Sequence, residues 1–309
     1  MVKNRQTSPL GNFAGFTLIE LLVVIAIIGI LTSMILPAIS KGKQKGEGVY
    51  CLNNGRQMMI ALQLYTDDHR GLFPPNPDDA NKVPGHNWCA GVAGKGGPAE
   101  FNPDLLKDPD RNLLSSYVKD IKVFHCPGDK RSGVYQGADP ALIGKTISAV
   151  RTFSMSQAVG TICPGYSVGT KGIHEAFPGH EGVPTLPVNG PWLNNQFNHH
   201  AGKPWATYGK ITNIGAPGPS MLWIFVDEDA AGLNDAAFAF GMEKAEWLDA
   251  PGTYHNGGCG FAFADGHTES HKWFSGTTKH GHNFVITSEN DKRDWEWMRQ
   301  RTSAKVGDN

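Results

Sequence analysis

Residues 16–36 read FTLIELLVVIAIIGILTSMIL, an apolar run of 21 residues interrupted by one charge, Glu20. A helix rises about 1.5 Å per residue, so about 20 such residues cross the hydrocarbon core of a bilayer. Lys3 and Arg5 precede the run with no acidic residue beside them, as at the start of a secretory signal. An ordinary signal peptide fits poorly, because its apolar stretch is only about 7–15 residues long and ends in a small-residue cleavage site. Here the run passes Pro37 and leads into Lys41, Lys43 and Lys45. A plain anchor fits its length but leaves Glu20 unexplained, since a central acidic residue costs about 2.5–3.5 kcal/mol on the most lenient insertion scale.

Gly15-Phe16-Thr17-Leu18-Ile19-Glu20, directly ahead of a full-length apolar span, resembles the processing site of type IV pilins and type II secretion pseudopilins. That resemblance implies cleavage after Gly15 by a cytoplasm-facing prepilin peptidase and methylation of the new amino terminus at Phe16. Glu20 then becomes the fifth residue of the mature chain and pairs with the ammonium of a neighbouring subunit, a pairing that a low-dielectric bundle favours over an isolated charge. Pro37 stands where many pilins carry a helix-breaking proline, and its missing N–H and ring clash predict a kink or local melting. The lysines on both sides leave orientation open by the positive-inside rule. It is leader removal that implies a single-pass protein of the bacterial inner membrane, with its head in the periplasm. The partners implied are the peptidase, like subunits in a filament and the inner-membrane assembly machinery.

Beyond Pro37 the pattern becomes one-sided. Leu52, Gly55, Met59, Leu62 and Thr66 step by three and four, as do Cys51, Met58, Leu62 and Tyr65, which predicts an amphipathic helix. Gly42, Gly46, Gly48 and Gly55 each weaken it by about 1 kcal/mol relative to Ala, so packing must hold it or it frays near 42–48. Gly71 and Pro74-Pro75 predict its end around 67–70. With 38 glycines and 20 prolines the remainder is turn-rich. The spacing predicts a helix over 105–118, a short strand at Val123–His125 running into a Pro127-Gly128 turn, and a buried strand over 221–226. Cys259–Ala264, Asp265-Gly266 and His267–Trp273 read as a hairpin closed by a two-residue turn.

His255, nine residues, then Asp265-Gly266 is similar to the carboxy-terminal His-x9-Asp-Gly signature that accompanies prepilin-type leaders in a large family of Planctomycetes and Verrucomicrobia-type proteins. Cys51-Leu52-Asn53-Asn54, Cys126-Pro127-Gly128-Asp129, Arg151–Gly160, Asp227-Glu228 and Asn234-Asp235 resemble that family too. The expected fold is α+β: a long amino-terminal pilin-type helix, transmembrane then amphipathic, packed on an antiparallel-sheet, loop-rich globular head. The expected divisions are a leader over 1–15, a membrane or filament-core helix over 16–39, its amphipathic half over 40–70 and an extracytoplasmic head over 71–309.

Lys plus Arg total 28 and Asp plus Glu 29, with no charged tail, which argues against a nucleic-acid partner. No nucleophile elbow, phosphate-cradling loop or H-E-x-x-H motif is present, so a structural role is expected rather than an enzyme. His125 beside Asp129, or His255 beside Asp265, offers a general base only in the abstract. His255, Asp265, His267 and His271 carry transition-metal donors, although the turn already requires Asp265 and a solvent-side histidine row needs no metal. Asp227, Asp229, Asn234 and Asp235 group oxygen donors that suit Ca2+, as the resemblance to major pseudopilins also implies; acidic loops more commonly cap turns. Five cysteines, Cys51, Cys89, Cys126, Cys163 and Cys259, leave an odd thiol outside the cytoplasm. Cys51 with Cys126 is one conceivable bridge; buried free thiols are the other account. The alternative is a membrane-tethered extracytoplasmic module that binds glycan or another ligand and does not polymerise; eight tryptophans raise the glycan version, with Trp295 and Trp297 the candidates for exposure and Trp223 in the core.

Overall fold

The computed structural model describes residues 17–78, 80, 82–161, 190–196, 204–276 and 281–307. Gly15, Phe16 and Cys163 lie outside the described residues, as does the predicted leader. The chain divides into two compact units, Met1–Lys43 and Gln44–Asn309. Helix α1, Leu18–Asp68, begins in the first and ends in the second.

In the first unit every described side chain from 17 to 43 is exposed. Among the described residues α1 is the one helix long and apolar enough to cross a membrane. Its start is a capping box: the Thr17 hydroxyl accepts from Glu20 N at 3.2 Å, and Glu20 Oε2 accepts from Thr17 N at 2.8 Å. The helix does not melt at Pro37, nor does it fray over 42–48. The missing proline N–H removes a single bond of the ladder, the one to the Ser33 carbonyl.

In the second unit α1 buries Cys51, Asn54, Gly55, Met58, Met59, Ala61, Leu62, Tyr65 and Thr66 on one face and stops at Asp68. Arg70 and Gly71 then take positive φ, and Gly71 N bonds back to the Thr66 carbonyl at 2.7 Å. The helix expected over 105–118 is instead a single turn, α2, Asp104–Lys107, with a separate 3-10 turn at Ser115–Tyr117. Pro109 explains the break, because it forces Asp108 into extended backbone (ψ 113°). The strand expected at 123–125 is a 3-10 turn, Ile121–Phe124, nucleated by the Asp120 carboxylate accepting from Lys122 N.

The strands are β1, Ser132–Val134; β2, Thr146–Ser148; β3, Phe153–Ser156; β4, Trp223–Asp227; β5, Ala237–Phe238; β6, Glu246–Asp249; β7, Gly258–Phe263; β8, Thr268–Lys272; and β9, His282–Val285. Helix α3, Glu289–Thr302, follows. The central sheet has the order β5-β3-β4-β7-β8 and is antiparallel except for its edge pair β3 with β5. The fold class is therefore α+β, with one parallel edge. β3, β4 and β7 are buried at every position, and Trp223 meets Phe238 and Phe261 edge-on at 5.5 and 6.0 Å. Gly55 brings α1 close to this sheet: a Cβ there would stand 3.5 Å from both Ala262 and Thr268.

The β7–β8 hairpin forms, but by a longer turn than expected. Phe263 N bonds the His267 carbonyl, Gly266 N bonds the Phe263 carbonyl, and of the three loop residues only Gly266 has positive φ (89°). That is a three-residue loop ending in a left-handed glycine, which tolerates Asp at its second position without strain. Chemical denaturation should show Leu62→Ala, at 1% exposure, costing about 2–5 kcal/mol. Ile60→Ala, on the outer face of the same helix at 52% exposure, should stay within about 0.5 kcal/mol of the parent.

Candidate functional site

Three sequence-distant segments meet the buried face of α1 at one point. Cys51 comes from the helix, Cys126 from the turn after the 121–124 segment, Asp227 from the last position of β4, and His255 from the loop before β7. One donor atom from each lies within 4.8 Å of the other three, the one such group of His, Cys, Asp and Glu among the described residues. Cys51 Sγ is 2.6 Å from Asp227 Oδ2, Cys126 Sγ 3.1 Å from His255 Nε2, and His255 Nε2 3.7 Å from Asp227 Oδ2. Both cysteines and Asp227 are 0% exposed.

The loops are anchored by their own backbone bonds. Gly252 N donates to the Asp227 carbonyl, His255 N to the Gly258 carbonyl, and the Tyr254 hydroxyl to the Glu228 carbonyl. Thr152 ties two of the four together: its hydroxyl donates to Asp227 Oδ1 at 2.7 Å and accepts from Cys126 N at 2.9 Å. Gly128 N donates to Cys126 Sγ at 3.3 Å. Asn54 Nδ2 donates to the His125 carbonyl, and Lys130 pairs with Glu47 at 2.6 Å, so the helix is joined to the 125–130 turn on both sides of Cys51.

Glycines make the approach possible. A Cβ on Gly260 would stand 3.2 Å from Cys51 Sγ, and one on Gly128 would stand 2.8 Å from Tyr254 Cβ and 3.1 Å from His255 Cε1. Burial pushes the Cys51 thiol well up, and Cys126 and Asp227 add to it. For His255 burial acts the other way, yet Asp227 and Cys126 outweigh it and the imidazole is pushed up to about 10. Nearby, burial would raise Asp129 too, but bonds from His125 and Arg131 hold its carboxyl at about 2. His125 and Asp129 are thus brought together, within an ion-pair network that continues through Arg131 to Glu100.

The other sequence candidates are dispersed. The proposed histidine set separates: His255 faces Cys126 and Asp227, whereas Asp265 sits in the hairpin turn and bonds His267 at 2.6 Å. His267 stacks on Phe263 at 4.3 Å and His271 on Trp297 at 3.8 Å, so neither belongs to a solvent-side row aimed at a common ion. The oxygen donors separate as well. Asp229 accepts from Ala231 N, Asp235 from Ala237 N, Asn234 is exposed, and Asp227 faces the cysteines, which is the turn-capping account of that loop. Cys51, Cys89, Cys126 and Cys259 are buried thiols, none of them in a disulfide among the described residues.

Trp295 and Trp297, the candidates for exposure, are not exposed. They lie on α3, Trp295 buried with its Nε1 on the Gly241 carbonyl, Trp297 half-buried between His271 and Arg301. None of the eight tryptophans is fully exposed; Trp192 and Trp297 are half-buried and the other six buried. Sequence reasoning missed the four-residue group because it assigned its members to three different hypotheses. It also missed α3, whose signals were Ser288, whose side chain caps Asp291 N, and the 295, 298, 302 spacing.

Residues 10–36 match the family model described as the prokaryotic N-terminal methylation motif. A type IV major fimbrial protein, FimA of Dichelobacter nodosus, is 38% identical over 103 residues. The amino-terminal part of this chain is type IV pilin-like. The match takes in 32% of this chain and spans 61% of that relative's length. No solved structure matches. A pilin-type motif on an apolar helix is the mark of a membrane-anchored protein of this kind. Gly128→Ala should cost about 1–3 kcal/mol in denaturation, through its contacts with Tyr254 and His255. Gly46→Ala, with open space around it on α1, should stabilise by up to about 1 kcal/mol.

Proposed function

We propose that the chain is a prepilin-like structural subunit, not an enzyme, cut after Gly15 and methylated on Phe16 by a prepilin peptidase. Assembly follows with like subunits and an inner-membrane machinery, into a type IV pilus-like filament or a type II secretion pseudopilus. The observation that carries this reading is the methylation motif over 10–36 set directly on an apolar, unpartnered helix with Glu20 near its start. In this account residues 1–15 are a cytoplasmic leader, 16–39 span the membrane and then form the filament core, 40–70 continue the helix, and 71–309 form the periplasmic head. Bundled helices replace lipid contacts with helix contacts, so the apolar surface stays out of water in both states.

Glu20 then has two roles in sequence. Before assembly it caps its own helix through Thr17. In the filament its carboxylate meets the ammonium that cleavage creates on a neighbour. Pro37 supplies a gap in the ladder within the bundled segment.

Intact mass and amino-terminal sequencing of protein made with an active prepilin peptidase should give a chain starting at methylated Phe16. A chain still starting at Met1, beside a control pilin that is processed, would sink the proposal and leave a plain anchor. Glu20→Ala should leave processing intact while removing pelletable filaments from sheared cells; filaments at the parental yield would restrict Glu20 to its capping role.

A further inference from the structure

We infer that Cys51, Cys126, Asp227 and His255 form a closed, structural binding site for a transition-metal dication of the Zn2+ class, which fastens the second half of α1 to the head. The site is independent of whether the chain polymerises.

The donor set is the first argument. Two thiols, an imidazole and a carboxylate are the ligands of four-coordinate structural zinc, and the two sulfurs disfavour Ca2+ and Mg2+. Geometry is the second. Zinc bonds of about 2.0–2.3 Å imply ligand–ligand edges of about 3.3–3.8 Å in a tetrahedron. The group already has edges of 3.1 and 3.7 Å, a shorter one of 2.6 Å, and no separation above 4.8 Å.

The surrounding bonds are the third argument. Gly128 N donates to Cys126 Sγ, a contact that favours the thiolate over the thiol. Thr152 occupies Asp227 Oδ1, so that Oδ2 alone faces the group, the arrangement of a monodentate ligand. His255 turns Nε2 inward, while its Nδ1 is buried with no hydrogen-bond partner. All four ligands come from the chain's own side chains, with Cys51, Cys126 and Asp227 at 0% exposure and the His255 side chain at 5%, which suits a structural ion and leaves no open position for chemistry. Binding needs both sulfurs as thiolates and the imidazole neutral, so whatever protons these groups carry leave to solvent as the ion enters.

The rival occupant is a Cys51–Cys126 disulfide, and one set of measurements separates them. Full-length protein, purified in detergent without chelator, should carry stoichiometric zinc by mass spectrometry of the metal. Exchange with Co2+ should produce the thiolate charge-transfer and visible d–d absorption of a tetrahedral site. Cys51→Ser and Cys126→Ser should each lose most of the metal and the cobalt spectrum, while Cys89→Ser keeps both. Because those two variants could also fail to fold, the parent is titrated with a chelator: its thermal midpoint should fall and should recover on adding Zn2+. The inference is overturned by metal-free protein lighter by two hydrogens with Cys51 and Cys126 linked in a peptide map. Free thiols with no cobalt spectrum and a midpoint indifferent to chelator would overturn it equally.

Discussion

Asp227 sets the terms for the centre of the head. It ends the fully buried strand β4, so its carboxylate is delivered where water cannot reach it. A carboxylate in that position must be bonded through both oxygens or lose its charge. Thr152 takes one oxygen; the other is met by Cys51 and His255. Each partner comes from a different stretch of chain, and each stretch is fixed by the need to present that partner. The 251–255 loop returns to Asp227 through Gly252, the Cys126 turn is held by Thr152, and α1 comes close enough only because Gly260 has no side chain. One buried charge thus ties the helix to the sheet and orders two loops that carry little regular structure of their own.

The start of α1 poses the opposite problem. There a carboxylate belongs to a helix whose neighbouring side chains are all exposed and apolar. The capping box answers it locally, since the Thr17 hydroxyl accepts from Glu20 N and donates to the Glu20 carboxylate, which also accepts from Thr17 N. Such a cap is exposed and worth only about 0.5–2 kcal/mol. A cap this weak is readily exchanged for a charged partner, as the proposed pairing with a neighbour's ammonium requires.

How much of this was readable in the sequence follows from the range of each signal. The apolar run, the buried face of α1, the strand around Trp223 and the hairpin at Asp265-Gly266 are encoded within a few residues, and they stand where the spacing put them. Errors arose where a single residue outweighed a pattern: Pro109 ends the helix that Leu105, Leu106, Leu113 and Leu114 advertise, and Asp120 turns an apolar strand-like stretch into a 3-10 turn. The four-residue group was beyond any local reading. Its members are separated by 75, 101 and 28 positions along the chain (51, 126, 227, 255), and no periodicity relates them. Each was visible as a motif, Cys-Leu-Asn-Asn, Cys-Pro-Gly-Asp, Asp-Glu and His-x9-Asp-Gly, but only the sheet brings them together. The hairpin glycine and aspartate of the last motif turn out to serve the turn, and its histidine serves a different site.

Two cysteines this close have two stable fates in the oxidising compartment that the proposed function assigns them, and their neighbours distinguish the two. A disulfide would use Cys51 and Cys126 and leave His255 facing Asp227 as a buried ion pair. Such a pair recovers little beyond its own desolvation. A dication uses all four groups at once: it neutralises the carboxylate, needs the imidazole neutral, and keeps both sulfurs reduced. The Gly128 N–H aimed at Cys126 Sγ and the Thr152 hydroxyl on the far oxygen of Asp227 serve a thiolate and a monodentate carboxylate, and neither has any function in a disulfide. On these contacts a metal clamp accounts for more of the buried polar groups than a bridge does. It also fastens α1 through Cys51, whose Sγ lies 2.6 Å from Asp227 at the end of β4.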